Sequence, residues 1–231
     1  MLQKRPKRPG RLKKTNKTMD YLRIIEKYYE LSPKDLPEYE KYKVGPMTVE
    51  AKAYSLPGLG HMSFMRGKAL FGLMKMDTLV FNPFEKDMPL FSLDRITVSG
   101  KEKLLIELFE TRLAPVSLEQ YFTDLIEKYQ LLDDGKSEPR WYDEIRLPET
   151  MYKVGKKNKA AAFDNLSGDY LERFLCLCSE AKPCDAQTKT AEAKKYTDGL
   201  LSHGGAATDV YIKEKGREFT ERFLRECMFG V

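Results

Sequence analysis

The middle of the chain is written in short apolar runs. DTLVFNPF (77–84), LFSLDRITV (90–98) and KLLIELFE (103–110) are rich in Leu, Val, Ile and Phe, and only EKDMP and SGKE link them. Runs of this length joined by such short links predict strands in an antiparallel meander. From Met62, MSFMRGKALFGLM mixes small and apolar residues without a helical stripe, and its glycines weigh against a helix. A fourth strand candidate, WYDEIRLPETMYKVG, is split by Pro148.

Helical spacing frames these runs. In residues 18–31, Leu22, Ile25 and Tyr29 recur on one stripe, with Thr18 or Asp20 as the cap and Ser32-Pro33 as the stop. Residues 33–60 are rich in Pro, Tyr and Lys and run into SLPGLGH, which reads as a turn-rich loop. Residues 117–132 put Leu118, Phe122, Leu125 and Tyr129 on one face behind Ser117 as N-cap. Residues 164–178 and 188–201 are helical as well, and 209–229 reads as one long amphipathic helix with Phe219, Phe223 and Leu224 inside. Strands in the middle with helices before and after predict an α+β, three-layer α/β/α fold rather than alternating βαβ units. Residues 18–231 are read as one domain behind an arm of residues 1–17.

Charge isolates that arm. The formal net charge is +5, but residues 1–18 hold eight of the 40 basic groups and no acid. The rest carries 32 basic and 35 acidic groups, a balance of −3, so the basic character belongs to the arm. KRPKRPGRLKK is either a solvated tail or a steering element for an acidic protein, a nucleic acid or an anionic surface. A transit peptide would be richer in Ser. No apolar run reaches the roughly 18 residues of a membrane span, and the start of the chain lacks the apolar stretch of a secretory leader. Four cysteines (Cys176, Cys178, Cys184 and Cys227) are too few for a disulfide scaffold of 231 residues. A reducing, cytoplasmic location and a monomeric protein are expected, without membrane or nucleic-acid partners for the folded body.

No phosphate-binding loop, dinucleotide fingerprint or nucleophile elbow is present. The histidines are His61 and His203, and three clustered thiols fall short of the four ligands of structural zinc, so no metal is expected. Two carboxylates carry more information. Asp77 opens one strand and Asp94 sits in the middle of the next, where a strand has little use for Asp. Asp77, Leu79 and Phe81 share one face of their strand, and Ser92, Asp94 and Ile96 share one face of theirs. If both faces meet the same layer, the two carboxyls line one apolar-walled pocket. Burial and mutual repulsion then raise at least one pKa and make a proton donor near neutral pH. Alternatively each Asp sits at a strand end or pairs with Arg66, Arg95 or a lysine.

The stretch VFNPFEKDMPLFSLDRI (80–96) resembles the signature of the ferredoxin-dependent bilin reductases. In that likeness Asp87-Met88-Pro89 is the turn, Phe91 the apolar position and Asp94 the essential acid. Asp77 falls where members carry His, Asp or Asn facing the pigment. Trp141 followed by Pro148, then Glu221-Arg222-Phe223 and Met228-Phe229-Gly230, are similar to later segments of the family in the same order, so the resemblance spans about residues 60–231 with gaps. The Glu-plus-His pair of the phycocyanobilin-forming members is absent, with Met65 near the Glu position. Of the acids before the final helix, Asp209 alone can serve, displaced by a few positions. Red chlorophyll catabolite reductases share the fold, but their acidic pattern fits no better.

The resemblance implies a central antiparallel sheet between helical layers. It implies reduction of an open-chain tetrapyrrole such as biliverdin, with single electrons from ferredoxin and no bound flavin, nicotinamide or metal. Asp94 would protonate the bilin, Asp77 would position its lactam groups or relay a proton, and Asp209 would assist. Arg66, Arg95, Arg146 and Lys153 are the candidates for the two propionates, since Arg matches a carboxylate bidentately. A tetrapyrrole- or haem-binding protein without redox activity, and an interaction protein using its basic tail, are the alternatives.

Overall fold

The structure is a computed structural model and describes residues 20–205 and 207–231. The basic arm and Thr18 lie outside the described residues. Among the described residues, nine strands form one antiparallel sheet: β1 (Ser32–Pro33), β2 (Tyr42–Val44), β3 (Met47–Leu56), β4 (Gly60–Ala69), β5 (Met74–Asn82), β6 (Leu90–Val98), β7 (Lys101–Phe109), β8 (Asp133–Asp134) and β9 (Met151–Lys156). Their order is β1-β3-β4-β5-β6-β7-β9-β8, with β2 also paired to β3. The helices are α1 (Tyr21–Ile25), α2 (Pro37–Glu40), α3 (Glu119–Lys128), α4 (Ala160–Glu180), α5 (Ala186–His203), α6 (Thr208–Lys215) and α7 (Arg217–Arg222), which runs on into a π-helical turn, Phe223–Phe229.

The expected meander is β5–β7, and the expected three-layer α/β/α sandwich is observed. The back face of the sheet packs on α1, α3 and α4, where Phe91 stacks on Phe174 and Phe122 on Tyr170, each pair 4.6 Å apart. The front face packs on α5, α6, α7 and the π turn through Val49, Ala51, Ala53, Met65, Val80, Leu90 and Phe109. Three sheet side chains pin that turn. His61 Nε2 donates to Cys227 O (2.8 Å), Ser63 Oγ to Met228 O (3.0 Å) and Asn82 Nδ2 to Phe229 O (2.8 Å). Burial lowers the pKa of His61 to about 4, which keeps the ring neutral at physiological pH.

Several elements differ from expectation. The first helix is one short turn, because the chain after it is drawn to the sheet edge, where Ser32 and Pro33 pair with Ser55 and Tyr54. Residues 33–60, in which no strand was expected, hold β2 and all of β3, and SLPGLGH makes the turn from β3 to β4. β3 alternates Val49, Ala51 and Ala53 inward with Glu50 and Lys52 outward, a strand pattern built from small residues. Of the split fourth candidate, only the part after Pro148 is a strand; Trp141–Glu144 is a 3₁₀ turn. The long helix expected over 209–229 is broken at Gly216, whose φ of 85° suits glycine.

Candidate functional site

Strand register decides what shares a face. Asp94 pairs with Thr78 on β5 and Leu105 on β7, while Asp77 pairs with Arg95. Neighbours in register point the same way and successive residues point oppositely. Asp94 therefore lies on the front face and Asp77 on the back, and the shared pocket expected for the two carboxyls does not form. One row of the front face reads Met65, Thr78, Asp94, Leu105, Tyr152. The adjacent back-face row reads Arg66, Asp77, Arg95, Leu104, Lys153.

The back row is internally paired. Arg66 Nε meets Asp77 Oδ1 at 2.8 Å, and the Arg66 guanidinium lies over the Phe64 ring. Arg95 is held by Glu102 (2.8 Å) and Asp164. Lys153 Nζ donates to Asp134 (2.6 Å) and to the Leu132 carbonyl. The structure thus separates Arg66, Arg95 and Lys153 from Asp94, and it gives Asp77 the arginine pairing that was the alternative for it. Asp209 is exposed at the start of α6, next to Gly204, and among the described residues no hydrogen bond joins it to the Asp94 row.

The front row gathers chemistry. Thr78 Oγ1 donates to Asp94 Oδ1 at 2.5 Å. Burial pushes the Asp94 carboxyl above the ordinary carboxylate range, and the hydroxyls of Thr78 and Ser92 pull it back in part. Glu107 stands opposite Ser92 on β7, diagonal to Asp94, a spacing of about 7–8 Å between strand neighbours of this kind. It is 6% exposed. Burial first, and then the nearby charge of Asp94, raise its pKa to about 7, against the opposing pull of Arg146. Arg146 reaches Glu107 at 3.3 Å and Asp143 at 2.8 Å, so of the four cations expected at the site it is the one the structure brings there.

Aromatic packing closes the inner end of this cluster. Tyr196 of α5 stacks on Phe109 (4.6 Å), beside Tyr142 and Trp141. Burial raises the Tyr196 pKa well above its usual value, and the charges of Glu107 and Asp94 add to the rise, so the phenol stays protonated. Trp141 fits because position 199 is glycine; a Cβ there would overlap the indole ring. Toward the other end the helical cover stops. Met76, Ile96, Leu105, Tyr152 and Val154, all on the front face, are half-buried, and Asp94 lies beside them at the edge of the cover. The result is an open apolar strip with two carboxyls of raised pKa at its inner end and exposed Lys103 next to Ile96 and Val154.

Glu107, Thr78 and Tyr196 are additions to the residues singled out from sequence. Glu107 carries the same signal as Asp94, a carboxylate inside an apolar strand. Thr78 required the register, and Tyr196 the packing of α5. Among the described residues no group of three or more His, Cys, Asp and Glu side chains is arranged to hold a metal ion, and no helix is long and apolar enough to cross a membrane.

The fold and this site define an α/β/α sandwich with an acidic cluster at one end of a half-covered sheet face. No family model matches the chain, and no curated protein matches it. Among solved structures it is similar to phytochromobilin synthase from tomato in complex with biliverdin. The TM-score is 0.71 over 88% of this chain and 78% of that one, at 16% sequence identity. The likeness establishes a shared fold.

Proposed function

We propose that this protein reduces an open-chain tetrapyrrole such as biliverdin. In this reading ferredoxin delivers electrons one at a time, no bound cofactor takes part, and the protein's own carboxyls supply the protons. The observation that carries it is the placement of Asp94 and Glu107. Both have raised pKa values, and both stand at the inner end of an apolar strip, in a fold shared with a synthase solved with biliverdin. The strip offers a flat conjugated molecule an apolar surface, and Lys103 a cation for one of its carboxylates.

Reduction of one double bond consumes two electrons and two protons. Asp94 gives the first proton to a pyrrole nitrogen or ring carbon, which makes the pigment easier to reduce. Glu107, half-protonated near pH 7, supplies the second. Thr78 and Ser92 hold the Asp94 carboxylate left behind. Asp77 has no part in proton transfer here, since it faces the other layer.

The test is spectroscopic. Titrating the purified protein with biliverdin should give a red-shifted, intensified visible band, and adding reduced ferredoxin should change its colour. A band without a colour change would leave a binding protein with no redox role. No spectral response would remove the tetrapyrrole altogether.

A further inference from the structure

The hairpin between β4 and β5 has an unusual tip. Leu70, Phe71 and Leu73 are exposed there, Phe71 fully and the other two by more than half. Leu70 and Phe71 have left-handed backbone (φ 51° and 54°) ahead of Gly72 at 86°. Residues with a Cβ resist that conformation, and Asn and Gly are the usual occupants. The tip therefore departs from local preference twice, in backbone strain and in exposed apolar surface. Departures of that kind concentrate at functional positions. The adjacent β6–β7 turn also has two positive φ angles, at Ser99 and Gly100, but there the strained side chain is small and polar. Ser99 N donates to Leu73 O at 3.0 Å, so the two turns form one platform.

That platform is basic. Lys68, Lys75, Lys101, Lys156, Lys157 and Lys159 are exposed around the tip. Strand register joins them: Lys68 pairs with Lys75, and Lys101 with Lys156. Segments 67–75, 97–101 and 155–159 contain no acid. The nearby Glu102 is buried on the back face and committed to Arg95 at 2.8 Å.

We infer that this end of the sheet docks on an anionic phospholipid surface, with Leu70, Phe71 and Leu73 entering the interface and the lysines meeting the headgroups. The shape and composition favour lipid over a protein partner. Protein interfaces are depleted in Lys and rely on buried aromatic and Arg anchors, whereas a projecting Leu/Phe tip ringed by Lys is what an anionic interface rewards. Each lysine near such a surface adds about fivefold in affinity. The inference is independent of the proposed reaction, because the tip residues make no part of the Asp94–Glu107 cluster.

The test compares the full chain with its Leu70→Asn/Phe71→Gly variant. Binding is measured by co-sedimentation with vesicles of phosphatidylcholine alone or mixed with phosphatidylglycerol. The basic arm contributes equally to both proteins, so the difference reports the tip. The wild type should sediment with the anionic vesicles, and the variant should lose affinity by about tenfold or more. Because Asn and Gly relieve the left-handed strain, the variant should also melt at a higher temperature, which separates lost binding from lost folding. Equal sedimentation of the two proteins, or wild-type binding that ignores phosphatidylglycerol, overturns the inference. So does capture of a soluble acidic protein such as a ferredoxin that depends on Leu70 and Phe71 while vesicles do not bind.

Discussion

Replacing Glu107 by Gln should make the protein more stable and less active at once. The carboxyl is nearly inaccessible, and its pKa moves from an ordinary 4.5 to about 7. Each unit is worth about 1.4 kcal/mol, so the ionised form costs the native state about 3 kcal/mol. Between pH 4.5 and 7 the folded protein keeps a proton that the unfolded chain has released. Native stability therefore falls as pH rises through that window, and the full cost is present above it. Gln cannot ionise, so Glu107→Gln should match the wild type near the lower end and exceed it by up to about 3 kcal/mol above the upper end. Loss of the Arg146 contact at 3.3 Å trims the gain, but Arg146 keeps Asp143 at 2.8 Å. For a chain of this size a gain of about 3 kcal/mol corresponds to a melting shift of roughly 6–12 °C. Urea unfolding of both proteins across the pH series measures it, and other titrating groups cancel in the difference. Parallel stability profiles for the two proteins would refute a strongly shifted Glu107. A Gln variant that is stabilised but reduces biliverdin at the wild-type rate would leave the shift intact and remove its role as second proton donor.

Asp94→Asn should abolish turnover and leave biliverdin affinity within about tenfold, because an amide keeps the shape without delivering a proton; a wild-type rate would exclude Asp94 as the acid. Thr78→Val removes a hydroxyl that stabilises the Asp94 carboxylate, so the alkaline limb of the activity profile should move to higher pH, and an unmoved limb would contradict the pairing. Asp77→Asn should leave rate and product unchanged and cost under about 1 kcal/mol, since its bridge to Arg66 is partly solvated; an altered product on chromatography would return Asp77 to the site. Deleting residues 1–17 should slow ferredoxin-driven reduction at low salt only, because the arm's charges are screened beyond about 10 Å at 0.1 M, and identical salt slopes would release the arm from that role.

The apolar runs of β5–β7 and the stripe of α3 were readable because each pattern is carried by large apolar side chains. β3 was not, since Ala51 and Ala53 give a weak hydrophobic signal amid Pro, Tyr and Lys. Asp94 was conspicuous as a carboxylate in an apolar strand, and the same reasoning applied to KLLIELFE would have found Glu107. Parity along one strand shows which residues share a face but not which layer that face meets. The link of residues 83–89 between β5 and β6 sets the register, and a shift of one position would have put Asp77 beside Asp94. Ion pairing was equally hidden, because the partners of Arg95 come from β7 and α4, and one of them, Asp164, is distant in the chain.

The order of the sheet has a consequence for synthesis. β3 to β7 are consecutive in the chain and adjacent in space, so five strands can pair as soon as residue 109 has emerged. The helices α3 to α7, which cover most of both faces, are made afterwards. At about 5–20 residues per second, the roughly 120 residues from Phe109 to Phe229 take about 6–24 s to appear. Through that interval a paired sheet stands with Phe81, Phe91 and Ile106 wet on the back and Val80 and Leu90 wet on the front. Apolar surface is open to a holding chaperone throughout that interval, and slower synthesis of residues 110–229 lengthens it.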